Sequence, residues 1–247
     1  MQSGNTIAMD VLLILTLSSF HFCTLEEYYT GGLFLPPFNA ISDGSFMFIG
    51  AFIYCGLFGN EWSQQLVYKD VKGVDAFVYA SILINLFVIL CNIKGIFDHQ
   101  KKKINYDPIT NTGDITGEIL VVKDLAGQII GYVLTMSLLL GIYTLTSHSF
   151  EVMVLQCLLM QHLTCSVQVN HVSKKKYSPW KNRVNLFLMV SSIVTYFGYM
   201  ADPFFYPHYY TRFMLLVTVV AEWHYILNVI YEMANALEIR VLFVKSK

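Results

Sequence analysis

Charge is what this sequence has least of. Of its 247 residues only 13% are Asp, Glu, Lys or Arg, while 55% are apolar. A water-soluble domain carries about a quarter charged residues, so the deficit excludes an ordinary soluble enzyme and points to a multi-span membrane protein. The net charge of −1 leaves no global positive field, and no nucleic-acid partner is expected. Five cysteines (Cys23, Cys55, Cys91, Cys157 and Cys165) show no paired spacing, which argues against a disulfide framework or a zinc site. The first apolar run has no Lys or Arg ahead of it and is interrupted by Asp10, so it does not read as a secretory signal. There is no internal repeat and no polar stretch long enough for a separate soluble domain. Residues 1–247 therefore read as a single transmembrane domain.

What is abundant is long apolar runs. A helix needs about 20 apolar residues to cross a bilayer. Seven stretches qualify: 7–24, 41–59, 74–96, 126–146, 150–170, 184–201 and 213–231. Only internally hydrogen-bonded helices or closed barrels satisfy backbone groups in hydrocarbon, and these runs are too long for barrel strands. The expected fold is an all-α polytopic membrane bundle of about seven transmembrane helices. Thirteen of the sixteen basic residues fall in one set of alternate connections, leaving Lys69, Lys72 and Arg212 for the other. The positive-inside rule then places the C-terminus in the cytosol and Met1 outside or in a lumen. The segment 97–124 reads as a long polar connection, and "HVSKKKYSPWKNR" (171–183) mixes lysines with Tyr177 and Trp180 as expected at headgroup level. Pro203 and Pro207 read as helix-ending residues at the opposite interface.

Polar residues inside spans are costly and tend to face one another or a cavity. Gln161, Thr164, Gln168 and His171 recur at helical spacing, and His224, Asn228 and Glu232 share another face near Glu222. Each set reads either as interhelical hydrogen bonding or as the wall of a wetted cavity open to the cytosol. Glu26 and Glu27 sit just past the end of the first span. Adjacent carboxylates there could be solvated or could bind a cation.

One stretch carries a resemblance. Glu26-x-Tyr28-x-Thr30-Gly31-x-Leu33-Phe34-Leu35-Pro36 resembles the segment after the fourth membrane helix of eukaryotic ethanolaminephosphotransferases and cholinephosphotransferases, of the CDP-alcohol phosphatidyltransferase family. "LVYKD" (66–70), "TCSVQVNHVSK" (164–174) and "WHYILNVIYEMANALEIRVLFV" (223–244) are similar to later family segments in the same order, and the ethanolamine branch matches best. Leu25 departs from the usual Trp. The resemblance implies that these helices correspond to the last seven of a ten-helix bundle in endoplasmic reticulum or Golgi membranes, of a kind that can pair as a homodimer. It implies transfer of phosphoethanolamine or phosphocholine from CDP-ethanolamine or CDP-choline to diacylglycerol, releasing CMP and a phospholipid, with Mg2+ or Mn2+ as cofactor. It carries over to Glu26, Tyr28, Thr30, Gly31, His171 and His224 as residues lining or supporting the substrate cavity. It assigns no catalytic residue and no metal ligand here.

The family's metal motif, D-G-x-x-A-R-(x8)-G-x-x-x-D-x-x-x-D, is missing. Asp43-Gly44 is followed by Ser45-Phe46-Met47-Phe48, and no spaced aspartate pair comes after it. Asp43 reads as a turn or helix-start residue. The chain is expected to be inactive alone, as the C-terminal part of such an enzyme or as a non-catalytic assembly subunit or regulator derived from it. A seven-helix receptor is the remote alternative. "DPFFY" (202–206) imitates a receptor signature, but at the end of the sixth span and on the sparsely basic side.

Overall fold

The computed structural model describes residues 6–31, 46, 49–50, 53–54, 56–57, 59, 66–68, 71–105, 115–146, 149–173, 176–202 and 206–236. The elements are α1 (Thr6–Thr30), a short antiparallel pairing of β1 (Leu66–Tyr68) with β2 (Val71–Lys72), α2 (Gly73–Asn105), α3 (Ile115–Leu145), α4 (Phe150–Val172), a 3-10 turn (Pro179–Lys181), α5 (Arg183–Ala201) and α6 (Pro207–Ala236). Among the described residues, six helices are long and apolar enough to cross a membrane. The chain is an all-α polytopic helical bundle of an integral membrane protein. The expected span over 41–59 lies largely outside the described residues, and so does Asp43.

Side-chain pairs fix the helix directions. Ser19 meets Asn85 and Ala8 packs with Val78, so α1 and α2 run together. Tyr29 bonds Asp124 while Ser18 meets Tyr132, so α3 returns. α4 runs with α1, from Gln156 opposite Asp10 to His171 beside Tyr28. α5 descends again, and α6 rises from Arg212 beside Glu151 to Glu222 beside His162. Lys94, Lys123 and Lys176 consequently gather at one end, hereafter the basic end, with Lys72 and Arg212 at the other.

Packing is inverted relative to a soluble protein. Leu83, Phe87 and Leu90 on α2 and Phe213, Leu216 and Val220 on α6 form exposed apolar stripes at helical spacing, the pattern of a lipid-facing surface. Polar groups are instead inside, where they find one another: Ser19 Oγ donates to Asn85 Oδ1 at 2.8 Å and Gln156 Nε2 to Asp10 Oδ2 at 3.1 Å. Leu155, Leu159, Leu163 and Val167 are fully buried one turn apart, which makes α4 the central helix.

Several boundaries differ from expectation, each for a local reason. α1 continues through Glu26, Glu27, Tyr28 and Thr30, because nothing before Gly31 breaks a helix. Gly31 adopts φ +75° and ends it. α2 and α3 extend to Asn105 and back to Ile115, so much of 97–124 is helical rather than a connection; no proline intervenes before Pro108. Pro207 opens α6 instead of ending a helix, since the first helical position needs no N–H donor.

Candidate functional site

The basic end holds the densest set of buried polar and aromatic groups on α1, and a strap, Lys176–Asn182, closes over it. Glu26 lies one turn inside the end of α1 and is buried. It faces α2, where Gly95 leaves it room: a Cβ at that position would overlap the Glu26 carboxylate. With the Asn92 amide turned to suit its neighbours, Nδ2 donates to Glu26 Oε2 at 3.2 Å and the amide oxygen accepts the Cys23 N–H at 3.2 Å. Glu27, by contrast, is only half-buried. Adjacent in sequence, the two carboxylates point to different surroundings and do not form a pair.

Tyr28 and Tyr29 reach the strap and α3. The Tyr28 hydroxyl accepts the Tyr177 backbone N–H at 3.0 Å, and its ring lies 6.1 Å from His171 and 6.5 Å from Tyr177. Tyr29 donates to Asp124 Oδ2 at 3.1 Å, while Lys176 Nζ sits 2.9 Å from Asp124 Oδ1. That carboxylate holds the Lys176 ammonium above its ordinary range. Gln128 spans the same gap, donating to Asp124 at 3.2 Å and to the Tyr177 carbonyl at 3.4 Å. On the outer edge Trp180 Nε1 donates to the Gly127 carbonyl at 2.8 Å, and the Trp180 and Pro179 rings pack on Gly131. The Tyr177 phenol and Gln128 Oε1 are buried with no hydrogen-bond partner among the described residues. Burial pushes the Tyr177 phenol up, so it stays neutral and able to donate. Buried polar atoms with spare capacity mark where a polar ligand would gain most.

Of the residues singled out by resemblance, Glu26, Tyr28, Thr30, Gly31 and His171 come together at this end. Thr30 and Gly31 serve the backbone: Thr30 Oγ1 donates to the Glu26 carbonyl at 2.8 Å and the Gly31 N–H to the Glu27 carbonyl at 2.8 Å. His224 is elsewhere, exposed on the outer face of α6 and 3.0 Å from Asn228. The expected polar face of α4 also divides. Gln161 and Gln168 are exposed, Thr164 is buried and His171 is half-buried, so the four do not wall one cavity. Sequence reasoning missed Asp124, Gln128, His162 and His21. Asp124 sits just inside the apolar run of α3, and its only sequence signal is the neighbouring Lys123. His21 stacks on Tyr132 at 4.8 Å and reaches Thr164 at 3.3 Å, a pairing between residues far apart in the chain.

Beneath this polar mouth an apolar cleft of about 280 Å³ runs between α1, α2 and α3. Val11, Ile14, Leu15, Ile89, Met136 and Leu140 line it, with Ser18 and Tyr132 its principal polar borders.

The chain matches no family model and no curated protein.

Proposed function

We propose that this chain belongs to the phospholipid-synthesising machinery of intracellular membranes, as the substrate-holding part of a CDP-alcohol phosphotransferase-like bundle. Its basic end would face the cytosol, in endoplasmic reticulum or Golgi membranes. The observation that carries the reading is the pairing of two compartments in one bundle. A polar mouth offers a buried acceptor for an ammonium (Gln128 Oε1), aromatic faces (Tyr28, Tyr177) and a phenol to donate to phosphate (Tyr177), acceptor and phenol both unpartnered among the described residues. An apolar cleft below it suits an acyl chain. Together they fit a zwitterionic phosphoalcohol and diacylglycerol.

A divalent cation does not fit the residues at this mouth. Glu26 is engaged by Asn92, and Asp124 by Lys176, Tyr29 and Gln128. No group of three potential ligands converges among the described residues. These residues would bind and orient, and no metal-dependent step is assigned to them. The second reading is a non-catalytic assembly subunit or regulator of the same descent; residues 1–247 themselves hold no D-G-x-x-A-R motif.

The test uses membranes containing only this chain. Labelled CDP-ethanolamine or CDP-choline, with diacylglycerol and Mg2+ or Mn2+, is expected to give no labelled phospholipid. Diacylglycerol is still expected to raise the unfolding temperature of the purified protein, and to do so less when Met136→Trp fills the cleft. Robust turnover would refute the inactivity. Absence of any binding by diacylglycerol and by either CDP-alcohol would refute the substrate-holding role itself.

A further inference from the structure

The outer surface of α5 and α6 changes character at one level of the bundle. His162 of α4 marks that level: the amide oxygen of Asn182, which caps α5, lies 3.1 Å from its Nε2, and Glu222 and Tyr225 of α6 both stand against the ring. On one side of it, every exposed residue of α5 from Leu186 to Met200 is apolar or aromatic, and so is every exposed residue of α6 from Phe213 to Trp223. On the other side, Gln168 of α4 and His224, Asn228 and Glu232 of α6 are exposed. Hydrocarbon does not solvate polar side chains, so the change marks where hydrocarbon ends on this face. Trp180 and Trp223, both exposed, stand at the boundary, where indole rings collect in membrane proteins.

Lys181 and Arg183 flank Asn182 and are exposed at this same level. Neither meets a carboxylate among the described residues, whereas Lys176 is held by Asp124 and Arg212 by Glu151. Below Arg183 on the same face of α5, Leu186, Val190, Val194 and Phe197 follow at helical spacing, all exposed. The turn that carries the two cations is fixed from both sides. Trp180 Nε1 donates to the Gly127 carbonyl of α3 at 2.8 Å, and Asn185 Nδ2 donates to the Pro179 carbonyl at 3.1 Å. Holding the backbone in place lowers the ordering cost of binding. We infer that the turn Trp180–Arg183 is a binding site for an anionic phospholipid, its headgroup at Lys181 and Arg183 and its acyl chains along the outer face of α5.

Charge decides the class of lipid. A zwitterionic phospholipid offers the same tails, but its phosphate brings its own ammonium; a headgroup with a net negative charge is what two unpaired cations reward. The site also sets how far the bundle projects. α4 runs ten residues past His162 to Val172, about 15 Å at 1.5 Å per residue. The end of α4, where His171 meets Tyr28, therefore stands beyond the hydrocarbon on this side, and a polar ligand of the mouth would arrive from water. The lipid site itself requires nothing of the transferase reading and would be occupied whatever the mouth binds.

Trp180 itself can report the occupant. With Trp62→Phe and Trp223→Phe it is the sole tryptophan of the chain, and lipids with brominated acyl chains quench its fluorescence on contact. The full chain is placed in phosphatidylcholine nanodiscs containing brominated phosphatidylserine or brominated phosphatidylcholine at equal mole fraction. A Lys or Arg beside an anionic headgroup is worth about a fivefold preference, so phosphatidylserine is expected to occupy the site about fivefold more strongly for each cation its headgroup reaches. Lys181→Gln with Arg183→Gln should bring the ratio to about one while quenching by phosphatidylcholine persists, which shows that the turn still meets lipid. Lys94→Gln, which removes a cation from α2 instead, should leave the preference intact. Equal quenching of the parent chain by the two lipids, a preference that survives loss of both cations, a preference lost equally to Lys94→Gln, or a Trp180 that neither lipid quenches overturns the proposal.

Discussion

Replacing Gly95 with alanine should reveal how tightly α1 and α2 are keyed together at Glu26. In isolation a glycine-to-alanine change inside a helix stabilises by about 1 kcal/mol. Here the new methyl would fall on the Glu26 carboxylate, which would have to swing aside. An off-rotamer side chain costs about 0.5–1.5 kcal/mol. Losing the Asn92 hydrogen bond to a buried carboxyl costs about 1–3 kcal/mol, according to its charge. The balance is a net loss of about 1–3 kcal/mol for Gly95→Ala. In a Glu26→Ala background there is nothing to displace, and the same change should stabilise. The coupling between the two positions is then about 2–4 kcal/mol, reaching the top of the range that contacting residues show. A double-mutant cycle, read by reversible denaturant unfolding in detergent micelles, measures it directly. Effects that simply add, with Gly95→Ala tolerated beside an intact Glu26, would refute the placement of that carboxylate against α2.

Three further outcomes rest on the same packing. In Gly131→Val a side chain starting 3.1 Å from the Pro179 and Trp180 rings should lift the strap and cost about 1–3 kcal/mol; Trp180 fluorescence should shift to the red, and adding Trp180→Ala should recover most of the stability. Asp124→Asn should lower the Lys176 ammonium toward its ordinary value of 10.5, read by NMR of the methylated lysine. Because that pKa is raised in the folded chain, the ion pair helps at neutral pH, and on the alkaline side its help fades as pH climbs through the raised value. Leu90→Asp, on the lipid-facing stripe of α2, should weaken membrane insertion of that helix by about 3–4 kcal/mol in a glycosylation reporter.

The membrane class and six of the helices are legible in the sequence because length and hydropathy are additive along the chain and need no partner. Helix ends are less so. Glu26 and Glu27 read as a loop because they are acidic, yet a helix of adequate propensity continues until a residue such as Gly31 stops it. The polar interior is only half legible. Glu222 stands out as a charge inside a span, but its partner His162 lies 60 residues away, and only the fold shows that they meet. The segment 171–183 reads as lying at headgroup level, yet its Asn182 is the cap of a helix that starts deep in the bundle. His224 shows the converse. Resemblance marks a position along a helix, whereas packing decides which way that position faces. The side chain is exposed on α6 and bonds within its own helix to Asn228, outside the mouth.

Glycine placement ties these observations together. α2 carries Gly95 where Glu26 of α1 needs room, and α3 carries Gly127 and Gly131 where Trp180 and Pro179 of the strap lie against it. In each case one helix gives up its side chain so that a polar or bulky group from another element can approach its backbone. All three glycines belong to the basic end. Among the described residues at the opposite end, Ser149 and Arg212 meet Glu151 at the rim, while Asp10 with Gln156 and Thr195 with Met214 lie deeper. The space opposite each glycine is thus taken by a side chain of the bundle itself, while the Tyr177 phenol and Gln128 Oε1 beside it keep hydrogen-bonding capacity unused among the described residues, which is where a polar ligand would gain most.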